Sequence, residues 1–579
     1  MNKINNNELC MNNLNEKVEL FGWVSKKRNL GGLIFIDLRD RSGIVQIVIR
    51  PENEFYNEAE KVRNEYVLKV TGVVSVRESK NPKLATGDIE VIADSLEILN
   101  TSKELPFEIS ENTTALEDTR LKYRYLDLRR DSLKDKLILR HKVMLAVRNH
   151  LSSEGFLEIE TPILNRSTPE GARDYLVPSR INKGSFYALP QSPQIFKQLL
   201  MVSGYEKYFQ IAKCFRDEDL RADRQPEFTQ IDMEMSFVNK EDVMETVERL
   251  MNHIFEESID YELPNVYPKI TYDEAIDMYG SDKPDIRFDM KINDISEIFK
   301  NTTFKVFENV LNENGVINCL VIKNEADNYS RKDLDKLTDV VKTYKASGLA
   351  YLKIDDETTG SIAKVISEEE IKELKEKLKL ENNDLVLIVS GKYSIVKTSL
   401  GALRSKIGKN LELANNKEFK PLWVTDFPSF EYNEEEDRFY ALHHPFTAPN
   451  DEDVDKLLTD KLNCYSKAYD LVMNGYEILS GSIRIHNQDI QSKMFEALGI
   501  SEVEAKAKFG FFVEALKYGT PPHGGVGLGL DRIIMLLTGT ENIRDVVAFP
   551  KTASASCLMS EAPNLVDLNQ LEELGIKIK

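Results

Sequence analysis

Apolar and polar residues alternate along five runs in the first hundred positions, and this period of two predicts β-strands. The runs cover residues 18–25, 33–38, 44–50, 67–77 and 89–99. A charged segment of helical character, residues 52–66, separates the third run from the fourth. Five strands with one helix in that position is the order of an OB-fold barrel, so a barrel is predicted for residues 1–105.

The second and third predicted strands of this barrel carry candidate nucleic-acid contacts. Phe35 and Gln46 lie on these strands, and the basic turn Lys26-Lys27-Arg28 precedes them. An aromatic ring flanked by cations can stack on an unpaired base. The alternative is that Phe35 belongs to the barrel core and that the cations form a solvated turn. Composition alone does not choose between the two.

A helical period over residues 131–154 marks the beginning of a second, larger domain, and Gly155 is typical of a helix end. The predicted apolar stripe consists of Leu133, Leu137, Met144, Val147 and Leu151.

Residues 207–216 and 228–237 are predicted to form an antiparallel pair, joined by a loop rich in Arg and Asp. One face of the second strand is expected to hold Thr229, Ile231, Met233, Met235 and Phe237, and the other Phe228, Gln230, Asp232, Glu234 and Ser236. A polar strand face is usually solvated. This one lies opposite Arg216, which favours a built site.

Over residues 285–410 the sequence pattern changes. Strand-like runs at 319–323, 349–354 and 385–389 alternate with charged helical stretches such as 367–378. This pattern predicts an inserted α+β domain, and its Glu- and Lys-rich helices are expected to present solvated faces.

Candidate site residues return after Pro421. Residues 476–486 are predicted to form a strand in which Ser480-Gly481 suggests a β-bulge and Arg484 lies on the face opposite Ile483. Farther on, a glycine-rich run over 524–529 leads into a helix that carries Arg532 on its first turn. The run is neither a Walker loop nor a GxGxxG motif, and we expect its glycines to allow close approach of the backbone to a ligand.

Composition narrows the class of protein. The 579 residues are 41% hydrophobic and 30% charged, which is typical of a multidomain globular chain. The formal net charge of −20 means that a nucleic-acid partner would have to meet local basic patches. The five cysteines lie far apart without a CxxC pair, and no HExxH pattern occurs, so a cytoplasmic protein without a zinc site is expected. No apolar run is long enough to span a membrane, and a signal peptide is not expected.

Three ordered segments resemble the signature motifs of the class II aminoacyl-tRNA synthetases, in the form of the bacterial aspartyl-tRNA synthetases. Residues 155–162 (GFLEIETP) resemble motif 1, which in the family lies at the dimer interface. Residues 214–218 (CFRDE) and 227–232 (EFTQID) resemble motif 2, and residues 527–532 (GLGLDR) resemble motif 3. The resemblance covers nearly the whole chain and implies a ligase that activates aspartate with ATP and transfers it to tRNA(Asp).

The resemblance also implies a fold with mixed α/β and β domains. The catalytic domain is expected to have an antiparallel active-site sheet. The expected divisions are an anticodon-binding OB-fold barrel (1–105), a hinge (106–135), the catalytic domain in two parts (136–284 and 411–556), the inserted α+β domain (285–410) and a C-terminal extension (557–579).

The ATP site implied by the resemblance has no P-loop. Arg216 would grip the α-phosphate, Phe228 and Arg532 would sandwich the adenine, and Glu477 with Asp470 would hold Mg²⁺. Arg216, Glu477 and Arg532 are the expected catalytic residues. The full expected ATP set is Arg216, Asp217, Glu218, Gln225, Phe228, Glu477, Gly529, Leu530, Asp531 and Arg532.

The aspartate site implied by the resemblance is based on charge. Arg484 and Lys197 would meet the side-chain carboxylate, with His443 nearby. Glu170, Gln194 and Asp232 would surround the ammonium group. Ser192, Arg216 and Gln230 complete the expected set.

Rival functions remain at this point. An asparaginyl or lysyl enzyme is disfavoured by Arg484 with Lys197 and by the insertion. A non-catalytic RNA-binding paralogue is disfavoured by the complete ATP set.

For tRNA recognition the resemblance implies anticodon contacts from Arg28, Leu30, Phe35, Gln46 and Glu90. Relaxed members of the family, which also charge tRNA(Asn), tend to have histidine at the position of Leu30. We therefore expect this chain to charge mainly tRNA(Asp), the alternative being that Leu30 only packs the turn. A cytoplasmic homodimer formed through motif 1 is also expected.

Overall fold

The computed structural model describes residues 4–168, 172–218 and 224–578. The chain divides into two compact units, Met1–Thr119 and Arg120–Lys579. No helix in the described ranges is long and apolar enough to cross a membrane.

The first unit is a closed five-stranded barrel with the strand order β1-β2-β3-β5-β4, which confirms the predicted OB-fold. Its elements are β1 (Lys17–Leu30), β2 (Leu33–Arg39), β3 (Ile44–Ile49), α1 (Tyr56–Lys61), β4 (Val67–Val76) and β5 (Ile89–Asn100). Helix α1 is shorter than the predicted 52–66. Asn53 accepts a hydrogen bond from the Arg50 N–H (2.8 Å) in the turn before it, and Val62 is extended with its side chain buried in the barrel core.

Helix α2 (Glu117–Lys122) spans the boundary between the units along the chain. The next elements are α3 (Arg124–Asp127), α4 (Asp131–Ser153), β6 (Leu157–Glu158), β7 (Leu176–Pro178), β8 (Phe186–Ala188), α5 (Gln194–Val202), β9 (Lys207–Phe215), β10 (Glu227–Ser236), α6 (Lys240–Ile259), β11 (Lys269–Thr271) and α7 (Tyr272–Tyr279).

A separate five-stranded sheet follows, with the order β12-β13-β16-β14-β15 and antiparallel pairing throughout. Its elements are β12 (Asn293–Asp294), α8 (Lys305–Asn312), β13 (Val316–Ile322), α9 (Arg331–Thr343), β14 (Ala350–Ile354), β15 (Thr359–Gly360), α10 (Glu368–Leu378), β16 (Asp384–Gly391) and α11 (Tyr393–Asn410). Helices α9 and α11 contribute to one apolar core, and α8 and α10 contribute to another. The inserted α+β fold is therefore confirmed.

The remaining elements return to the main sheet. They are β17 (Pro421–Thr425), β18 (Phe430–Asn433), β19 (Arg438–Ala441), α12 (Lys456–Thr459), β20 (Ala468–Met473), β21 (Tyr476–Ile483), α13 (Gln488–Ala497), α14 (Glu502–Ala515), β22 (His523–Gly529), α15 (Leu530–Thr538) and α16 (Leu568–Leu574). Within the described residues, the main sheet has eight strands in the order β11-β17-β20-β21-β22-β10-β9-β6, and only its two outermost pairs are parallel.

The main sheet packs on one side against helices, and together they form an apolar core. Helices α4, α6 and α15 contribute Val147, Val247 and Ile533 to this core, and each of these side chains is fully buried. Strands β9 and β10 pair antiparallel as predicted. The prediction for Phe237 was wrong, because β10 ends at Ser236 and the left-handed backbone of Phe237 (φ 61°) leaves its side chain 70% exposed.

The polar face of β10 is buried rather than solvated. Asp232 and Glu234 are 1% and 0% exposed. The glycine-rich run forms β22 beside them, and a Cβ on Gly525 would collide with the Glu234 carboxylate, as one on Gly527 would with the Gln230 amide. Gly525 and Gly527 therefore make room for polar side chains of β10. Gly527 and Gly529 also line the cavity described below, so the predicted approach of this backbone to a ligand stays a prediction.

The predicted bulge lies elsewhere. Leu471 pairs with Leu479 and Val472 with Glu477, so Ile478 is the extra residue of β21. Gly481 has a different role, since a Cβ there would meet the Gly525 carbonyl and the Tyr469 ring.

Candidate active site

A cavity of about 560 Å³ is lined by the ends of β9 and β10, by β20 to β22 and by the first turn of α15. Eleven of the residues proposed from the sequence line it, namely Arg216, Glu218, Gln225, Phe228, Gln230, His443, Asp470, Glu477, Gly529, Asp531 and Arg532. The structure therefore brings together motif 2, motif 3 and the two candidate metal ligands, although they are up to about three hundred residues apart in the sequence.

Several proposed residues lie outside this lining. Lys197, Asp232, Arg484 and Gln194 are buried, and Ser192 lines a smaller cavity of about 70 Å³. The side chain of Leu530 belongs to the apolar core, which leaves only its backbone for a nucleotide. Asp217 forms an isolated β-bridge with Arg173. Glu170 lies outside the described residues.

Arg216 and Phe228 form a stacked pair at the mouth of the β9–β10 hairpin. The Arg216 guanidinium carbon lies 4.9 Å from the centre of the Phe228 ring. In the antiparallel pair, Phe228 of β10 lies opposite Cys214, the last residue but one of β9. A planar cation beside a ring face offers a stacking surface and a source of positive charge in one place.

Arg532 and Lys283 both approach Glu477. Arg532 Nη1 donates to the Glu477 carbonyl oxygen (2.8 Å) and lies 3.6 Å from Oε1, while Lys283 Nζ donates to Oε2 (3.0 Å). Burial raises the pKa of Glu477, but these two cations outweigh it and the net pKa is lowered. Glu477 is therefore an anion at neutral pH. Two residues near Glu477 were not among the site residues predicted from the sequence. Lys283 contacts Glu477, and Asp282 lines the cavity.

Asp470 is the second candidate metal ligand. It is 6% exposed, and its Oδ1 accepts no hydrogen bond from the described residues, with His443 Nε2 3.6 Å away. Burial raises the pKa of Asp470, and the neighbouring Glu477 raises it further. The described residues contain no group of three or more potential ligands around one point. Two carboxylates fit Mg²⁺, which completes its shell with water and substrate phosphates.

Asp531 has a structural role at the start of α15. Its Oδ2 accepts a hydrogen bond from the Thr229 N–H (2.9 Å), and its Oδ1 pairs with Arg140 of α4. These contacts fix motif 3 against β10 and so set the position of Arg532, which comes next in the chain.

A buried ionic network joins β10 to α5 and to Arg484, the residue that follows β21, and none of its four side chains is in the cavity lining. Arg484 donates from Nε to Glu234 Oε1 (2.9 Å) and from Nη2 to Oε2 (3.1 Å). Lys197 Nζ lies 2.8 Å from Asp232 Oδ1 and 3.3 Å from Glu234 Oε2. All four side chains are at most 2% exposed. The two cations expected to meet a substrate carboxylate thus already have carboxylate partners.

Asp232 retains one unused oxygen. Its Oδ2 is buried and accepts no hydrogen bond from the described residues, and the neighbouring Tyr208 hydroxyl donates to Gln210 (2.9 Å). A buried carboxylate oxygen without a donor is costly and suits an incoming cation. Burial raises the pKa of Asp232 to about 6, although Lys197 opposes the shift.

His444, rather than His443, contacts Arg484. The Arg484 Nη1 lies 2.7 Å from His444 Nε2 and donates to the Ser482 hydroxyl (2.6 Å). Burial lowers the pKa of His444 well below its usual range, and Arg484 lowers it further, so this imidazole is neutral at pH 7. Sequence reasoning missed Glu234 and His444 as members of the network. The alternation along β10, which places Glu234 on the same face as Asp232, was the available signal for Glu234.

Comparison with known proteins shows the family to which this chain belongs. Residues 116–553 match the family model described as tRNA synthetases class II (D, K and N), and residues 18–99 match the OB-fold nucleic acid binding domain. The chain belongs to the class II tRNA synthetases.

The similar relatives cover almost the full length of this synthetase. A protein of Geobacillus sp. (strain WCH70) named aspartate–tRNA(Asp/Asn) ligase is 55% identical over 99% of this chain and 97% of its own. A protein of Geobacillus kaustophilus (strain HTA426) named aspartate–tRNA ligase is 56% identical over 97% of this chain and 96% of its own.

Solved structures agree on the fold. The asparaginyl-tRNA synthetase of Pyrococcus horikoshii, complexed with asparaginyl-adenylate, has a TM-score of 0.61 at 19% identity, covering 95% of this chain and 98% of its own. The aspartyl tRNA synthetase of Entamoeba histolytica has a TM-score of 0.58 at 20% identity, covering 95% and 91%.

The barrel of the synthetase carries a polar chain beside Phe35. Arg28 Nη2 donates to Asp37 (2.7 Å) and to Gln46 (3.1 Å), and Gln46 donates to Glu90 (2.7 Å). Phe35 pairs with Arg28 across the strands and does not belong to the buried barrel core. The interpretation of Phe35 as a core residue was therefore wrong.

Leu30 lies at the end of β1, where it pairs with Leu33 across the hairpin. Its side chain is 62% exposed, so it does not pack the turn. The Tyr56 hydroxyl instead fixes the turn by donating to the Gly32 carbonyl oxygen (2.9 Å). A tRNA bound to this end of the barrel would find Leu30 accessible.

The motif 1 region of the synthetase exposes apolar side chains at the edge of the main sheet. Strand β6 is the terminal strand, and Leu157 on it is 50% exposed. Leu145 on α4 and Ile163 and Leu164 after β6 are each at least half exposed. An unpaired strand edge beside several exposed apolar residues is typical of an interface between protein chains.

Proposed function

We propose that this synthetase is an aspartate–tRNA ligase. It activates L-aspartate with ATP, forming aspartyl-adenylate and pyrophosphate, and then transfers aspartate to the 3′-terminal adenosine of tRNA(Asp). Two rival activities within the family model are those for asparagine and lysine. The buried Lys197–Asp232–Glu234–Arg484 network carries the choice of aspartate. The names of the similar relatives support the same choice.

Aspartate recognition follows from the charges of this network. The unused Oδ2 of Asp232 pairs with the substrate ammonium group, and the side-chain carboxylate turns toward Arg484 and Lys197. Asparagine would present its NH₂ group, a donor, to two cations that are donors themselves, and it would bring no negative charge to the network. A site built around such polar contacts can reject the wrong substrate by about 10⁴ to 10⁵. Lysine would place a third cation beside the two already there.

Adenylate formation requires positioning more than proton transfer. The α-carboxylate of aspartate is already ionised and attacks the α-phosphorus, and pyrophosphate leaves in line with it. Arg216 neutralises the charge that develops on the α-phosphate, and its stacking on Phe228 fixes the guanidinium beforehand. Phe228 and Arg532 hold the adenine between them.

Magnesium fits the pair of carboxylates Asp470 and Glu477. Asp470 offers a buried oxygen without a donor, and Glu477 is ionised. When bound, the ion neutralises charge on the ATP phosphates. Glu477 also anchors Arg532 through its carbonyl oxygen, so the same residue organises the adenine side of the site.

The partners follow from the two exposed surfaces. The surface around Phe35 binds the anticodon of tRNA(Asp), where an aromatic ring and Arg28 face the same side of the barrel. The apolar motif 1 surface forms a homodimer, which light scattering tests as a solution mass of twice 66.3 kDa. The proposed location is the cytoplasm, where the tRNA substrate is found.

Aminoacylation tests the proposed function. The purified protein is incubated with labelled aspartate, ATP, Mg²⁺ and a tRNA(Asp) transcript, and acid-precipitable label is counted. We expect ATP-dependent charging with aspartate and loss of charging in Arg216→Leu. Charging with asparagine or lysine in place of aspartate would refute the proposal.

A further inference from the structure

The segment between α7 and β12 brings a cation, Lys283, to Glu477 in the cavity lining. Asp282 lines the cavity, and Lys283 Nζ lies 3.0 Å from Glu477 Oε2 and 3.6 Å from the Asp282 carboxylate. The Lys283 side chain is 43% exposed, so it reaches Glu477 from the solvent side. Pro284, the next residue, is buried and limits the backbone at this point.

Helix α11 of the insertion fixes the backbone of this segment. Arg404 of α11 is 2% exposed and donates to the carbonyl oxygens of Asp285 (2.8 Å), Phe288 (2.9 Å) and Met290 (2.7 Å). Its guanidinium carbon also lies 4.9 Å from the Tyr279 ring centre and 4.2 Å from that of Phe288. The backbone on both sides of Lys283 is thus fixed, whereas the lysine side chain itself is long and partly solvated.

A second contact between α11 and the segment is equally tight. A Cβ on Gly280 would collide with the Lys397 carbonyl oxygen, and one on Gly401 would collide with the Gly280 carbonyl oxygen. Lys397 Nζ also donates to the Asp277 carbonyl oxygen (3.0 Å) at the end of α7. The insertion therefore determines where the Lys283 backbone stands relative to the cavity.

The charges around Glu477 favour displacement of Lys283 when a metal–nucleotide complex binds. Glu477 already has Lys283 and Arg532 nearby, and Mg²⁺ on the same carboxylate would add a third, divalent cation. Repulsion then favours release of Lys283, whose side chain is 43% exposed, rather than of Arg532, which is 25% exposed and also donates to the Glu477 carbonyl oxygen. ATP brings several negative charges to the same cavity, so the released ammonium group has a new anion within reach of its flexible stem.

We propose that Lys283 is a further substrate-binding residue, which pairs with Glu477 in the free synthetase and moves to the β- and γ-phosphates when ATP binds. These phosphates leave together as pyrophosphate, so the residue also binds that product. Arg404 is the positioning residue that presents Lys283 from the insertion. The inference rests on the proposed binding of ATP in this cavity, and the alternative is an ion pair that only fixes the segment.

The test uses Lys283→Gln, Lys283→Arg and, as a matched control, Lys305→Gln. Lys305 forms an exposed ion pair with Glu308 on α8 of the insertion, away from the cavity lining. Thermal unfolding verifies that each variant is folded. Two quantities are then measured in the full chain: Mn²⁺ affinity without nucleotide, by electron paramagnetic resonance, and the KM values for ATP and pyrophosphate in the exchange reaction.

We expect Lys283→Gln to bind Mn²⁺ about five- to tenfold more tightly, because the competing cation is gone. The same variant should raise the KM values for ATP and pyrophosphate about tenfold. Lys283→Arg keeps a cation and should stay within about threefold of the unchanged chain in both measurements, and Lys305→Gln should match the unchanged chain.

Unchanged Mn²⁺ affinity in Lys283→Gln would overturn the inference, as would unchanged KM values. Should Lys283→Gln not fold, Lys283→Met replaces it in both measurements, because methionine keeps an apolar stem without the charge. Tighter Mn²⁺ binding with higher KM values is then expected, and unchanged values refute the inference. Failure of the proposed function looks different, since the unchanged chain would then show no aspartate-dependent exchange while the Mn²⁺ measurement could still be made.

Discussion

Arg484 and Glu234 form a two-hydrogen-bond ion pair with both side chains essentially buried, Nε to Oε1 at 2.9 Å and Nη2 to Oε2 at 3.1 Å. The arginine proposed to meet the substrate carboxylate is thus part of the folded core before any substrate arrives. Without Arg484, the buried Glu234 keeps only the Lys197 ammonium group, which Asp232 shares, and the excess buried negative charge costs much more than the pair contributes.

Arg484→Leu is predicted to destabilise the catalytic unit by about 3 to 5 kcal/mol, because Glu234 loses its bidentate donor inside the protein. Thermal unfolding measures the effect. The double variant Arg484→Leu/Glu234→Leu should recover most of the loss. As a control, Arg249→Leu removes a bidentate pair with Glu154 whose arginine is 51% exposed, and should cost under about 1 kcal/mol.

The same Arg484→Leu variant is expected to lose aspartate activation while it still binds ATP. Arg484 does not line the cavity that holds the ATP residues, so nucleotide binding has no reason to change. Equilibrium ATP binding and the KM for aspartate separate the two effects. An unchanged KM for aspartate would mean that Arg484 acts only within the core.

The KM for aspartate should depend on the ionisation of Asp232. Burial raises the pKa of Asp232 to about 6, and only its ionised form can pair with the substrate ammonium group. The KM should be constant above about pH 7 and should rise as the pH falls through 6, by up to tenfold per pH unit. The substrate's own side chain stays ionised in this range, because its pKa is about 3.9.

Initial rates of exchange between pH 5 and 8 measure this dependence. Asp232→Asn should show a high KM without the inflection near pH 6. A KM that stays flat or falls as the pH is lowered would contradict the assignment of Asp232 to the ammonium group.

Phe35→Ala is expected to weaken tRNA charging and to leave pyrophosphate exchange intact. The ring lies outside the barrel core, and loss of one base stack costs about 1 to 3 kcal/mol. The KM for tRNA(Asp) should therefore rise about five- to hundredfold, and Phe35→Tyr, which keeps the ring, should retain most of the affinity. An equal loss of exchange would show that the substitution disturbs the fold instead.

Leu30 leads to a prediction about tRNA range. Its exposed side chain offers no hydrogen-bonding group that could accommodate both cytosine and uracil at the third anticodon base, so tRNA(Asp) should be charged much better than tRNA(Asn). Relatives of similar identity are named both aspartate–tRNA(Asp/Asn) ligase and aspartate–tRNA ligase. Charging efficiencies on both transcripts decide the matter, and comparable values for the two would contradict the prediction.

Local sequence patterns predicted the strands and helices of the site, but they did not predict which of their faces are buried. Alternation over 228–237 predicted the strand and its two faces, but whether the polar face meets water depends on β22, which is nearly three hundred residues away in the chain. The alternation of polar and apolar residues in one strand does not show which distant strand will cover its polar face. The same limit explains why the sequence did not predict that Gly525 and Gly527 make room for Glu234 and Gln230.

Lys283 and His444 show a second limit. Lys283 lies in a polar segment without a motif, and its role depends on how Arg404 holds that segment. His443 and His444 are adjacent in sequence, and only the backbone decides that His444 meets Arg484. Side-chain direction in irregular segments has no period from which it could be predicted.

Pyrophosphate exchange without tRNA tests the central claim most directly, because it requires the ATP site and the amino-acid site to work together. The unchanged chain is incubated with ATP, Mg²⁺ and labelled pyrophosphate, in parallel with aspartate, asparagine or lysine. The account predicts label in ATP with aspartate and Mg²⁺ only. Exchange that prefers asparagine or lysine, or no exchange with any of the three, would contradict it.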